Sequence, residues 1–338
     1  MPIPLLISNL TNIRYLTGVA MTFGMMIVDG RKRSLFVDSR YIEKATKECV
    51  KGIAVLPMDD LEQCIASYKR MRFESEDVSV ARLLRWEKRY RKTRFVPSTG
   101  VIEEGRRVKN AAEIRSIKKA CSITDRVMME IPVFLHTRGI TEKKLALLIE
   151  NLSRDIGADA MAFDTIVAFG NHTARPHHSP TDRLLEKNDI VQIDMGVKVN
   201  GYCSDCSRVF FVGNVSEEQR RVFILLVKIV AKCTKRARSG ATNHTLDLCA
   251  RKMLGKYEPC FTHGLGHGVG LEIHEGASIS TRAPKQTIKK NEVITIEPGI
   301  YLPGKFGMRV EDTILVQNSG GKTLTFCSKL LPKGCKNG

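Results

Sequence analysis

The chain has 338 residues, 43% hydrophobic and 27% charged, with 54 Lys and Arg against 36 Asp and Glu for a formal charge of +18. That balance excludes a fibrous or low-complexity polymer and is ordinary for a globular chain of one or two domains. Residues 19–28 and 222–231 are apolar runs too short to cross a bilayer, the second also broken by Lys228, and no signal peptide is recognised, so a cytoplasmic protein without membrane contact is expected.

In chain order, residues 5–7 read as a first strand, and 25–28 with 34–37 as a hairpin around Asp29-Gly30. A helix over 41–49, a strand over 53–56 and a helix over 59–68 follow. Arg82, Arg85, Lys88, Arg89, Arg91, Lys92 and Arg94 then face Glu87 alone within their stretch, with Trp86 and Tyr90 interleaved. A helix with Leu83, Leu84 and Trp86 on its apolar side explains the pattern. Nonspecific affinity for polyanions is expected of it, specific nucleic-acid binding is not. Residues 100–109 read as a junction, after which Ile114, Ile117, Cys121, Thr124 and Met128 recur at helical spacing over 112–131.

Thr141 reads as the cap of a helix over 142–155, and Ser216 with Gln219 as a capping box before a helix over 222–235. Strands are predicted over 165–168, 190–198, 202–212, 293–297 and 313–317, which makes this second region α+β. Of the ten cysteines, Cys203 and Cys206 have C-x-x-C spacing but no second pair to complete a zinc site. Small strand residues and reduced thiols are the simpler reading.

Five residues stand in surroundings that read as one metal site: Asp194, Asp205, His267, Glu297 and Glu311. Four carboxylates and one imidazole are a hard, oxygen-rich set able to hold two divalent cations and activate water between them. Asp194 and Asp205 flank Asn200-Gly201, a pair suited to a tight hairpin, and are expected nearly opposite each other across the ladder. Thr262 opens T-H-G-L-G-H-G-V-G-L-E-I-H-E, whose glycines let backbone pass close to bound metal or ligand. His267 is taken as its metal ligand, with His263 and His274 near the substrate. Alternation sends Arg309 to the face of Glu311, where it orients a ligand.

These motifs, with A-R-P-H-H-S-P-T-D-R at 174–183, I-D-M-G-V-K-V-N-G-Y-C-S-D-C-S-R at 193–208, E-P-G-I-Y at 297–301 and R-V-E-D at 309–312, resemble the pita-bread metallopeptidases. Within them the chain is similar to the Xaa-Pro peptidases, aminopeptidase P and prolidase. N-I-R-Y-L-T-G at 12–18 and L-F-V-D-S-R-Y at 35–41 resemble the creatinase-type N-terminal domain. The resemblance implies a smaller α/β N-terminal domain over 1–105, lacking the family's first helix, and a pita-bread catalytic domain over 106–338. It also implies a homodimer acting on proline-containing peptides. By position, Asp194 would chelate one metal, Asp205 and Glu311 bridge both, and His267 with Glu297 complete the other. Manganese is the expected metal, with cobalt or zinc as alternatives. His177 and His274 match catalytic histidines, with Glu297 shuttling the proton, and His263 and Tyr301 match positions lining the pocket. Arg175 stands where the family usually has an apolar residue, and Ala277 where it has proline. Two other readings stay open: a catalytically inactive relative that binds nucleic acid or a protein partner, and metal-free creatinase-like hydrolysis.

Overall fold

The computed structural model describes residues 3–329, which divide into compact units at Arg106 and Arg107. The first unit is a six-stranded sheet with helices packed on it. Its elements are β1 (Leu5–Ile7), α1 (Leu10–Thr17), β2 (Met25–Asp29), β3 (Lys32–Val37), α2 (Ile42–Glu48), β4 (Ala54–Pro57), α3 (Asp60–Ala66), β5 (Arg70–Glu74), α4 (Val80–Arg89) and β6 (Arg94–Ser98). The strands lie in the order β4-β3-β2-β1-β5-β6, and all neighbours are parallel except where β2 pairs with β1 and β3. Gly30, at φ +57, closes the β2–β3 turn as the Asp29-Gly30 pair predicts. Residues 100–109 are not a bare junction. They contain a short helix, α5 (Glu103–Arg107), on whose buried Arg106 Asn12 accepts a hydrogen bond at 2.9 Å.

The second unit opens with α6 (Ala111–Phe134), started by a capping box in which Asn110 and Glu113 satisfy each other's backbone N–H groups. Thr141 caps α7 (Glu142–Asp155). Then come β7 (Ala160–Met161), β8 (Ile166–Phe169), β9 (Ile190–Met195), β10 (Val197–Val199), β11 (Tyr202–Cys203) and β12 (Cys206–Phe211). Ser216 and Gln219 form the expected box before α8 (Glu217–Arg236), and α9 (Asn243–Leu254) packs beside it. The last strands are β13 (Gly266–His267), β14 (Ser278–Ile279), β15 (Val293–Ile296), β16 (Gly299–Leu302), β17 (Phe306–Arg309), β18 (Asp312–Val316) and β19 (Gly321–Thr323). Two cores result. One packs α6 and α7 through Val127, Ile131, Leu145 and Ile149 against Val167, Val191 and Ile193; the other packs α8 and α9 through Leu226, Ile229 and Leu246 against Ile296, Ile300 and Ile314. Among the described residues, no helix is long and apolar enough to cross a membrane.

The strands expected over 190–198 and 202–212 are each broken. Asn200 and Gly201, both at positive φ, make a two-residue turn that pairs Val199 with Tyr202 and therefore Asp194 with Ser207. Asp205 is thus two residues off the expected position, diagonal to Asp194 rather than opposite it. It lies in the gap between β11 and β12, where the backbone of Ser204 crosses so tightly that a Cβ on Gly196 would sit 2.0 Å from the Ser204 carbonyl oxygen. Residues two apart on a strand share a face, so both carboxylates still project to the same side.

Candidate metal centre

Each acidic residue of the centre sits at a strand end or break, where backbone geometry frees its side chain from the ladder. Asp194 is near the end of β9, Asp205 precedes β12, Glu297 follows β15, and Glu311 lies between β17 and β18. His267 ends β13 and is brought in by glycine on both sides. A Cβ on Gly266 would lie 2.1 Å from the Thr295 carbonyl oxygen, and one on Gly268 would lie 2.0 Å from that of Glu275. A Cβ at either position would collide with backbone, and Gly264 and Gly266 also line the site's cavity, as expected of glycines that let backbone pass close to a ligand.

All five residues line one cavity of about 600 Å³, together with His177, His263, His274 and Arg309. The ligand atoms of Asp205, His267 and Glu311 lie within 4.8 Å of one another. His267 Nε2 is 3.4 Å from Asp205 Oδ2 and 3.4 Å from Glu297 Oε1, while its Nδ1 is 3.2 Å from the Gly268 carbonyl oxygen. With the proton on Nδ1 donated to that carbonyl, the Nε2 lone pair faces the carboxylates, as a metal-binding imidazole requires.

The carboxylates are crowded beyond what the protein's own donors offset. Burial, and then the charges of Asp194 and Glu297, push Asp205 well above the usual carboxylate range. Burial followed by Asp205, Glu297 and Asp194 does the same to Glu311, and burial raises Glu297. Two buried oxygens, Asp194 Oδ1 and Glu311 Oε1, have no hydrogen-bond partner. An orphaned buried carboxylate oxygen is costly, and a row of them facing one point is relieved by cations. The donor set fits two divalent ions on these observations alone.

Arg309 is the one cation built into the cluster. It is 3% exposed and bonds Asp194 through Nη2. Its Nη1 donates to the Tyr301 hydroxyl at 2.7 Å and its Nε to Ser207 Oγ at 2.8 Å. Burial opposes its charge, but Tyr301, Asp194 and Glu297 hold it protonated. Since the Tyr301 oxygen accepts from Arg309, its own proton goes to His263 Nε2 at 2.9 Å, and His263 Nδ1 donates to the Gly264 carbonyl at 2.8 Å. Burial pushes Tyr301 up to about 12 and His263 down to about 4, so Tyr301 keeps its phenolic proton and His263 is a neutral imidazole with a single ring proton. His274 stacks edge-on to His267 with ring centroids 4.3 Å apart. Burial, then His267 and His177, lower it to about 4, so it is a neutral donor at physiological pH.

One cluster beside the cavity has no counterpart in the sequence reading. Glu142, fully buried at the start of α7, accepts from His172 Nδ1 and His178 Nε2, both at 2.9 Å, from the backbone N–H groups of Phe169 and Thr181, and from Thr181 Oγ. It ties down the segment that carries His177. The pair His177-His178 was visible in the sequence; Glu142, 36 residues away from His178, carried no local signal.

Fold and donor set together define a metallopeptidase. Residues 115–318 match the model of metallopeptidase family M24, and residues 4–108 that of the creatinase/prolidase N-terminal domain. An Xaa-Pro dipeptidase of Pyrococcus furiosus is 34% identical over 323 residues, covering 94% of this chain and 92% of its own. The structure of an X-Pro aminopeptidase from Thermotoga maritima MSB8 superposes with a TM-score of 0.89 at 34% identity, covering 97% of this chain and 96% of its own. An Xaa-Pro dipeptidase from Bacillus anthracis does so with a TM-score of 0.92 at 28% identity, covering 97% and 94%. The chain belongs to metallopeptidase family M24.

Proposed function

We propose that this chain is a two-metal exopeptidase that hydrolyses the bond between an N-terminal residue and proline. The observation that carries the reading is the set of crowded, incompletely satisfied carboxylates facing His267 in one cavity. Asp194, Asp205, His267, Glu297 and Glu311 would hold the ions, with Asp205 and Glu311 shared between them. Manganese is our first assignment, and cobalt or zinc the alternatives. Bound there, the ions supply an activated water and polarise the scissile carbonyl.

The protein groups do the rest. Glu297, whose proton affinity is raised by burial, takes the water proton and returns it to the departing proline nitrogen. Neutral His274 donates its ring N–H to the developing oxyanion. His177, exposed on the cavity wall, holds the proline side. Arg309 fixes Asp194, and Tyr301 with His263 line the pocket. Four carboxylates balance two divalent ions, and the Arg309 guanidinium on Asp194 would offset the charge of a metal-activated hydroxide. An inactive binding protein has no use for this donor set.

We also propose a cytosolic homodimer: the nine described cysteines are free thiols, which suits a reducing compartment, and light scattering tests the assembly. The enzymatic test is Xaa-Pro cleavage after chelation and readdition of Mn²⁺ or Co²⁺, over dipeptides, tripeptides and longer peptides. Loss and recovery of turnover is expected, and the length series separates dipeptidase from aminopeptidase. No turnover with any metal or length would sink the proposal.

A further inference from the structure

We infer that the first unit carries a sequence-independent binding site for nucleic acid along one end of its sheet. In this sheet β3, β5 and β6 start at the same end, because β1 is parallel to β5, β5 to β6, and β3 runs with β1 through antiparallel β2. That end collects cations from segments far apart in sequence: Lys32 and Arg33 on β3, Lys69 and Arg70 at β5, Lys92 and Arg94 at β6. All six are exposed, and none forms an ion pair among the described residues. The carboxylate among them is Asp29, across the ladder from Lys32, and its Oδ2 already accepts from the Tyr68 hydroxyl at 3.0 Å.

Arg70 and Arg94 are register partners in the β5–β6 ladder, so two guanidinium groups project side by side from the same face. Like charges placed directly across a ladder are destabilising, and this chain places no acid against them. An anion from outside the molecule supplies the missing charge.

The order β3-β2-β1-β5-β6 spreads the row over four strand spacings, about 19 Å at the usual ~4.8 Å each. Positive charge spread over that length along one end of the sheet suits a linear polyanion with repeated phosphates. A membrane is disfavoured, because the exposed apolar side chains nearest in sequence are not on the row: Phe23 precedes β2, Val80 and Leu84 lie on α4, and Val101 follows β6. The ligand is read by charge, since all six side chains of the row are Lys or Arg.

The test is fluorescence anisotropy of the full chain with a labelled ~20-base-pair DNA duplex and a single-stranded RNA, from about 50 to 200 mM salt. Binding without sequence preference is expected. With six phosphate contacts, the log K against log salt slope for the duplex should be about −5, a loss of about a thousandfold over that range. R70Q/R94Q should flatten the slope by about 2 while leaving peptidase turnover unchanged and the melting temperature no lower, since it relieves a like-charge pair. K32Q/R33Q, in the exposed β2–β3 turn, should do the same if the first variant misfolds. Absence of binding at the lowest salt, an unaltered slope in both variants, or adsorption to phosphatidylserine vesicles with no nucleic-acid binding would each overturn the inference.

Discussion

Glu142 with His172 and His178, and Asp205 with His267 and Glu311, are both groups whose ligand atoms fall within 4.8 Å of one another, and both border the same cavity. Their electrostatics are opposite. At Glu142 two imidazoles, two backbone N–H groups and one hydroxyl all donate to the carboxylate, and against its burial the bonds from Thr181, His178 and Phe169 hold it below the usual range. At Asp205 and Glu311 burial and neighbouring carboxylates push the other way, and oxygens are left without donors. A carboxylate whose counter-charge comes from the fold is a fastening. A cluster whose counter-charge the fold does not supply is a place for cations. Residue type and proximity do not separate the two; the direction of the pKa shift and the inventory of donors do.

The comparison breaks first at the metal centre. Asp205→Asn should abolish peptidase turnover by at least about a thousandfold, because Asp205 is the ligand we propose both ions share. A steady-state assay with metal analysis checks it, and retention of both activity and metal would refute the shared role. His274→Ala should lower kcat by about a hundredfold with bound metal unchanged, the size expected for one oxyanion donor. If metal is lost as well, His274 belongs to the ligand set.

At the other cluster, Glu142→Gln should leave metal content intact and cost about 2 kcal/mol in denaturant unfolding, since a charged acceptor of five bonds becomes a neutral one with its own donors to place. Loss of metal in that variant would mean the two clusters are not chemically distinct. The smallest expected effect is on pH dependence. Asp205, Glu297 and Glu311 bind protons more tightly in the folded chain than in the unfolded one. Their contribution to the stability of the metal-free protein is therefore greatest at low pH and falls as pH rises through the ordinary carboxylate range and above it. Metal binding must release those protons. The melting-temperature gap between metal-loaded and chelated protein should widen from about pH 5 to about pH 7.5; a constant gap would contradict the assignment.

Local signals in the sequence were enough where the physics is local. Thr141 and Ser216 cap their helices through bonds within three residues, and Asn200-Gly201 makes its turn because both residues adopt positive φ. The same turn, counted strictly, already puts Asp194 opposite Ser207 rather than Asp205, because a midpoint one residue from the turn shifts the pairing by two. Other features were invisible for a physical reason. β5 and β6 read R-M-R-F-E and R-F-V-P-S, and their flanking charges hid short, partly buried strands within a basic stretch. Gly266 lines the cavity as expected, but that it and Gly268 must also clear the backbone of Thr295 and Glu275 could not be read from their own segment. The Glu142 fastening joins residues 27 to 39 positions apart, beyond any periodicity.

The most direct measurement is the number of metal ions bound per chain, by titration calorimetry with Mn²⁺ on chelated protein, for the wild type, Glu142→Gln and a Asp205→Asn/Glu311→Gln double variant. The account predicts two ions in the wild type and in Glu142→Gln, and none held tightly in the double variant. Two ions still bound by the double variant, or their loss in Glu142→Gln alone, would contradict it.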